Sequence, residues 1–201
     1  MPVEGGSDRL VSSNAGLPNG WLPDGSGVLC QLGTPSRIFL IDIASGKRTD
    51  LLSHQMDALH SAFFSADGQW ITFHQRTRPG HVALVAAPYR NGKAGGPAEW
   101  IQMVDSSFDN DKPRLSPDGG RLYFQSNRDG FVCVWSQRLD PKTKRPIGAP
   151  QIVRHFHGAL GSMISMSRGA VRLLHLSLAA DRLILNLDEL RSDLWLLEGT
   201  G

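Results

Sequence analysis

Short apolar runs alternate with polar residues along this chain, and a turn signal separates each run from the next. In one such run, Leu122, Phe124 and Ser126 alternate with Tyr123 and Gln125. This alternation is the two-residue period of a β-strand. The Ser-Pro-Asp-Gly segment at 116–119 predicts a tight turn, because Pro fixes φ, Asp can bond its own backbone and Gly accepts a left-handed conformation. The Asn-Arg-Asp-Gly segment at 127–130 predicts the next hairpin turn.

This pattern occurs four times. Each copy has an aspartate in the turn before an apolar run, and these aspartates are 43, 51 and 63 residues apart: Asp24, Asp67, Asp118 and Asp181. Repeats of this length are typical of four-stranded propeller blades. The repeat therefore predicts an all-β fold, a β-propeller of about four antiparallel four-stranded blades. In the fourth copy Arg182 stands where the other three have glycine, so the turn of that copy is the least regular.

The predicted strands group into four units, which we expect to form one domain over residues 8–201 after a disordered lead at 1–7. The units cover residues 17–53, 60–104, 112–155 and 171–198. The strands of the first unit are predicted at 17–22, 27–32, 37–43 and 48–53. Residues 140–150, with three prolines, predict a long stiff loop, and residues 157–168 fit either a short helical turn or an irregular strand. The fourth unit has only three predicted strands, so residues 8–12 are the candidate strand that would close the ring.

Composition narrows the class of protein. Hydrophobic residues make up 40% of the chain and charged residues 20%, as is usual for a soluble globular protein. A formal charge of +2 is too small to indicate nucleic-acid binding. No apolar run approaches the roughly 18 residues of a membrane span, so we expect no insertion of this chain into a membrane. Residues 1–20 lack the basic start and apolar centre of a signal peptide, which leaves either an internal location or an export segment outside this sequence.

Cysteine and histidine spacing bears on metal binding. Cys30 and Cys133 fall on predicted strands of different units, and we expect both to be buried apolar side chains. The lack of a Cys-x-x-Cys or a regular Cys/His spacing argues against zinc. His155 and His157 would face the same way on a strand, which suits two metal ligands. Because no third ligand is near them in sequence, we expect an edge-strand pair instead.

The repeated motifs carry a family resemblance. A bulky residue, Ser-Pro-Asp-Gly, an apolar strand, the segment 126–130 and a strand that contains Trp135 together resemble the TolB-like, WD-type β-propeller repeats of bacteria. Residues 108–119, 135–141 and 155–157 look like a subgroup that often forms the sensor-side, C-terminal propeller of receptor-type serine/threonine kinases. The resemblance implies a periplasmic or extracytoplasmic location, with the cytoplasm as the alternative. Propellers of this family usually have six or more blades, so the four units are either a whole small ring or the C-terminal part of a larger one.

Catalytic motifs are missing from the sequence. It contains no Gly-x-Ser-x-Gly elbow, no phosphate-binding loop, no His-Glu-x-x-His and no kinase signature. His60 leads into an inner strand, where we expect it to bond to the blade backbone rather than to act as a catalytic base. We therefore expect a non-catalytic scaffold that binds a protein, peptide, glycan or other ligand on one face, and no enzyme activity. The alternative is a hydrolase or lyase with its site in the channel mouth.

Charged residues around the third unit supply a candidate binding site. In a propeller, the loops that enter the inner strands meet the loops between the second and third strands around one mouth of the channel. We therefore expect Asp109, Asp111, Arg114 and Arg128 to form a binding surface there. Asp105, Asp109 and Asp111 could bind calcium, but their spacing is not that of a known calcium loop. We expect them to cap turns and pair with basic residues, and we expect no cofactor.

Overall fold

The computed structural model describes residues 8–33, 35–157, 164–165, 172–173, 176–179 and 182–185. Across these residues the chain is all-β, and the one helical element is a single 3-10 turn at Pro97–Glu99. No helix among them has the length and apolar character that crossing a bilayer requires. The predicted fold class is therefore confirmed.

The first blade contains four antiparallel strands in sequence order. They are β1 (Leu17–Trp21), β2 (Gly27–Leu32), β3 (Arg37–Asp42) and β4 (Arg48–Ser53). Each begins at the predicted residue and ends within one residue of the predicted end. The agreement follows from local turn signals near the strand ends, such as Gly16, Gly25, Gly33 and Gly46.

The second blade has the same order with one insertion. Its long strands are β5 (Ala58–Phe64), β6 (Trp70–Arg78) and β7 (His81–Arg90). A two-residue strand, β8 (Lys93–Ala94), pairs with the far end of β7 before the outer strand β9 (Ile101–Val104) pairs with its middle. The indole N–H of Trp100 donates to the carbonyl of Gly95 at 2.9 Å and fixes this insertion against the blade.

The third blade consists of β10 (Asn110–Leu115), β11 (Arg121–Ser126), β12 (Cys133–Leu139) and β13 (Pro146–Arg154). The predicted long loop over 140–150 is wrong, because β13 begins at residue 146. A side-chain oxygen of Asp140 accepts the backbone N–H groups of residues 142 and 143, which closes a short turn. Prolines are compatible with β13 because it is the outer strand of its sheet.

Two short hairpins belong to the fourth unit. The strands β14 (Ile164–Ser165) and β15 (Arg172–Leu173) pair with each other, as do β16 (Leu176–Leu178) and β17 (Leu183–Leu185). The segment 157–168 thus contains a strand, and β15 and the first residues of β16 fall within the strand predicted over 171–177. The predicted turn at Asp181 and the predicted strand over 192–198 lie outside the described residues.

The amino-terminal segment packs against the first blade. Residues 8–12 have no strand assignment, and Val11 packs beside the buried cluster that contains Cys30, Phe39 and Ile41. A guanidinium nitrogen of Arg9 donates to the carbonyl of residue 43 at 2.6 Å. The strand over 192–198, with which residues 8–12 would pair to close the ring, lies outside the described residues. Closure by residues 8–12 therefore stays a prediction.

Apolar cores lie between neighbouring blades. Leu29 and Ile38 of the first blade pack with Phe73 and Val85 of the second. On the other side of the second blade, a separate cluster joins it to the third: Leu84, Ala86, Met103, Val104, Leu122, Phe124 and Leu139. The strands β1, β5 and β10, which begin the three complete blades, lie side by side in this order, and β16 of the fourth unit lies beside β10. They are the inner strands of the described blades, as expected for a propeller.

The Asp-Gly turns close the first hairpin of each of the three complete blades. Gly25, Gly68 and Gly119 have φ values of 74°, 67° and 68°, the left-handed conformation that favours glycine. The preceding aspartate in each turn accepts the backbone N–H two residues later, at 2.9–3.0 Å. These turns define what we call the turn face. The opposite face, with the loops that enter β1, β5 and β10 and the loops that join second and third strands, is called the mouth face.

Candidate functional site

Bulges in the inner strands set the geometry of the channel. The pairing register shifts between His60 and Phe63 in β5, and between Asp111 and Arg114 in β10. Ser61 and Lys112 occupy these bulges with φ values of 51° and 53°. A non-glycine residue in this region costs about 1–3 kcal/mol and persists where the surroundings hold it. Bulges re-aim side chains, and these two direct polar groups across the junction of the second and third blades.

Asp111 is the centre of the resulting network. It is 8% exposed, and its Oδ1 accepts from Ser61 Oγ at 2.8 Å and from His74 Nδ1 at 2.9 Å. The backbone N–H of Lys112 donates to the same oxygen at 2.7 Å, and the Lys112 ammonium lies 3.1 Å from Oδ2. An ionised carboxylate only accepts hydrogen bonds, so His74 Nδ1 carries a hydrogen. Three elements, β5, β6 and β10, therefore converge on one buried anion.

The first blade extends this network. Gln31 Oε1 accepts from the backbone N–H of Ser61 at 2.8 Å and from Asn19 Nδ2 at 3.1 Å. Its Nε2 donates to His60 Nδ1 at 3.2 Å. The ring of His60 meets that of His74 edge to face, with the centroids 5.0 Å apart. We call the following residues the Asp111 cluster: Gln31, His60, Ser61, His74, Asp111 and Lys112. The expected backbone bond of His60 is replaced in this structure by a bond to a side chain of the neighbouring blade.

Electrostatics fix the charges of the cluster. Burial raises the pKa of Asp111, but the hydrogen bond and charge of His74 and the ammonium of Lys112 outweigh it and hold that pKa well below its usual range. Burial, reinforced by His74 and Arg76, lowers the pKa of His60 to about 4. At neutral pH the carboxylate of Asp111 is therefore ionised and His60 is neutral, which lets its Nδ1 accept from Gln31.

The cluster contains the residue types of a hydrolytic triad but not its connectivity. In such a triad the serine donates to one ring nitrogen of histidine while the carboxylate accepts from the other. Here Ser61 Oγ and His74 Nδ1 both donate to the same carboxylate oxygen. Within the described residues, His74 Nε2 is buried and has no hydrogen-bond partner. Among the described residues, Ser61 and His74 are thus ordered around the carboxylate, and no histidine nitrogen accepts from the serine.

The four residues expected at the channel mouth are distributed along the third blade. Asp109 stands on the mouth face, where its backbone N–H donates to Asn127 Oδ1 at 3.0 Å. Arg128 is half-buried near the ring of Trp135, and its guanidinium donates to Ser126 Oγ and to Asn110 Oδ1. Asp111 lies deeper, in the cluster described above.

Arg114 lies toward the turn face, away from Asp109. Its guanidinium carbon is 3.1 Å from the centroid of the Phe63 ring, a cation–π contact. It lines a cavity of about 350 Å³ together with Trp21, Phe63 and Leu178, at the turn-face ends of the inner strands. Burial lowers the pKa of Arg114 to about 10, so it remains charged at neutral pH. The channel therefore has a polar section near the mouth face and a more apolar one near the turn face.

Sequence reasoning identified Asp111 as a candidate residue but missed its partners. Polar residues at the centre of an otherwise apolar inner strand, as in the Leu-His-Ser-Ala segment at 59–62, were the available signal. Gln31 and His74 lie on second strands, and the Asp111 cluster forms only when three blades pack together. That contact depends on bulges, which the alternation of residues does not reveal.

Comparison with curated proteins gives a match over part of the chain. No protein-family model matches the chain. The "Uncharacterized protein Atu1656" of Agrobacterium fabrum strain C58 is 32% identical over 132 residues, which cover 63% of this chain and 41% of that protein. The chain thus spans less than half the length of this curated relative.

Solved structures give the same picture of the fold. TolB from Acinetobacter baumannii superposes with a TM-score of 0.57 at 19% identity, over 86% of this chain and 40% of TolB. Prolyl oligopeptidase B from Galerina marginata gives a TM-score of 0.52 at 11% identity, over 84% of this chain and 29% of the peptidase. At such identities the likeness shows the fold alone. Together with the blades described above, it establishes a TolB-like β-propeller fold.

Proposed function

We propose that this propeller is a non-catalytic scaffold that binds a protein or peptide partner at its mouth face. The observation that carries the proposal is the Asp111 cluster. Its polar groups are held by hydrogen bonds among three blades, and Lys112 keeps 18% of its side chain exposed. Polar groups that are fixed before binding orient a partner with little loss of side-chain freedom. Asp109, at the mouth face, would add a further charge to such a surface.

The alternative function is a hydrolase or lyase with its site in the channel. Its support is the similarity to a peptidase structure, but folds of this kind host unrelated functions. The hydrogen-bond pattern favours the scaffold, because Ser61 donates to a carboxylate that already accepts from His74. A serine in that arrangement lacks the adjacent base that would activate it.

The setting of the scaffold is also part of the proposal. We propose that residues 8–201 form one propeller domain of a larger envelope or signalling protein. We propose a sensing role for this domain, because its repeats resemble the sensor propellers of kinases. The TolB-like fold supports this idea. So does the curated relative, because the match covers only 41% of its length. From the family resemblance of the repeats we also propose a periplasmic or extracytoplasmic location, with the cytoplasm as the alternative.

Site-specific photo-crosslinking tests the binding face. A photoreactive residue at position 109 probes the mouth face, and a matched one at the exposed position 142 probes the loop beside the Asp-Gly turns. The full chain, with the photoreactive residue at either position, is irradiated in an extract of its source organism. We expect position 109 to capture a discrete polypeptide that position 142 does not capture. Capture from position 142 alone would assign binding to the turn face and contradict the proposal.

A further inference from the structure

Four potential metal ligands converge on the mouth face of the third blade. They are Asp129, Cys133, His155 and His157, and one ligand atom from each lies within 4.8 Å of all the others. Asp129 belongs to the turn between β11 and β12, Cys133 is the first residue of β12, and the two histidines follow β13. None of the four belongs to the Asp111 cluster.

The strand register brings these residues together. Val134 pairs with Arg154 across β12 and β13, so the next residue of the outer strand, His155, lies beside Cys133. Ser126 pairs with Cys133 across β11 and β12, so the intervening turn holds Asp129 over the same point. Residues that are up to 28 positions apart therefore meet through antiparallel pairing alone.

The distances between the ligand atoms are close to those around a tetrahedral ion. His155 Nδ1 and His157 Nε2 are 3.1 Å apart, and they lie 3.0 and 2.9 Å from Asp129 Oδ2. Cys133 Sγ lies 3.9 Å from His155 Nδ1. A tetrahedral ion with ligand bonds of about 2.0–2.3 Å separates its ligand atoms by about 3.3–3.8 Å. Shifts of a few tenths of an ångström would give that geometry.

Hydrogen bonding holds the two rings at these distances only if one ring nitrogen donates and the other accepts. If both ring nitrogens donated to Asp129 Oδ2, two N–H groups would face each other 3.1 Å apart. Two imidazole lone pairs at that separation are instead the normal edge of a metal site. The backbone N–H of Phe156 donates to Cys133 Sγ at 3.3 Å, a contact that stabilises a thiolate and is typical of the shell around metal ligands.

We propose that these four residues bind one divalent transition-metal ion of the zinc type, through Cys133 Sγ, His155 Nδ1, His157 Nε2 and Asp129 Oδ2. Sulfur and nitrogen ligands select such ions over calcium and magnesium, which require oxygen. The histidine side chains are 53% and 40% exposed, so the ion reaches the site from solvent. The bound ion ties residues 155–157 to the turn at 127–130 and fixes the direction of the chain after the third blade. This inference does not depend on the proposed function.

The test uses the full chain, stripped with a chelator and titrated with ZnCl₂ by calorimetry and equilibrium dialysis. We expect one Zn²⁺ per chain, and we expect His157→Ala to weaken binding at least about 100-fold, since even residues that only support metal ligands contribute 10–100-fold. His54→Ala is the matched control, because His54 lies outside the site, and it should bind as the unmodified chain does. No stoichiometric binding, or equal binding by His157→Ala, would overturn the proposal.

A second readout reports the thiolate directly. Co²⁺ in place of Zn²⁺ should give a sulfur-to-cobalt charge-transfer band that is absent in Cys133→Ala and retained in Cys30→Ala. A band that persists in Cys133→Ala would overturn the ligand assignment. Because Cys133 is buried, the His157→Ala titration keeps the proposal falsifiable if Cys133→Ala does not fold.

Discussion

Replacing Asp111 by asparagine is expected to destabilise the protein by about 3–5 kcal/mol at pH 7, the usual cost of leaving a buried charge without its partner. The substitution keeps the volume of the side chain but removes the anion that Ser61, His74 and Lys112 all contact. It also brings an amide N–H₂ group toward groups that donate. Urea unfolding followed by tryptophan fluorescence measures the loss. Asp24→Asn, at an exposed turn, should cost much less.

The same variant should change the response to acid. The pKa of Asp111 is lower in the folded protein than in the unfolded chain, so its stabilising effect is present above about pH 4 and is lost as the pH falls below the unfolded value. The difference in unfolding free energy between the unmodified protein and Asp111→Asn should therefore shrink as the pH is lowered below about 4. A difference that is constant from neutral to acidic pH would contradict the assigned charge state.

Replacing Gly119 by alanine is expected to cost about 2–4 kcal/mol, which combines left-handed strain with overpacking. Gly119 has a φ of 68°, and an added Cβ would clash with Lys144 Nζ. That ammonium is held by the carbonyls of Pro141, at 2.6 Å, and of Gly119 itself, at 3.2 Å, in a residue that is 1% exposed. The added methyl must displace a buried charge.

Gly25 supplies the matched control. It occupies the same turn position in the first blade with a φ of 74°, but no atom lies within 4 Å of the added Cβ. Gly25→Ala should therefore cost only the strain, about 1 kcal/mol. In a Lys144→Ala background the cost of Gly119→Ala should fall to the same value. Equal unfolding free energies for Gly25→Ala and Gly119→Ala in the unmodified chain would refute the role of Lys144.

Local signals explain why the fold could be predicted. The four strands of the first blade and the Asp-Gly turns depend on neighbouring residues, so period-two alternation and turn chemistry located them. The prediction of a loop over 140–150 was wrong because an outer strand tolerates proline. One edge of such a strand forms no hydrogen bonds to a neighbouring strand, and β13 is an example. Proline content alone does not distinguish an edge strand from a loop.

The sites could be predicted only in part, because their partners meet through tertiary contacts. Asp111 was identified from its position before an inner strand, but Ser61 and His74 join it across a blade junction that two bulges shape. His155 and His157 were noticed as a pair, and their further partners, Asp129 and Cys133, became visible only with the register of β11, β12 and β13. A search for ligands near in sequence misses such a set.

The central claim is that the Asp111 cluster orders a binding surface and does not activate a nucleophile. Covalent labelling of Ser61 tests this claim most directly. The full chain is incubated with a fluorophosphonate, which reacts with serines activated by an adjacent base, and the adduct is sought by intact-mass measurement and peptide mapping. The account predicts no adduct on Ser61 under conditions that fully label an authentic serine hydrolase. An adduct on Ser61 that disappears in Ser61→Ala would contradict it.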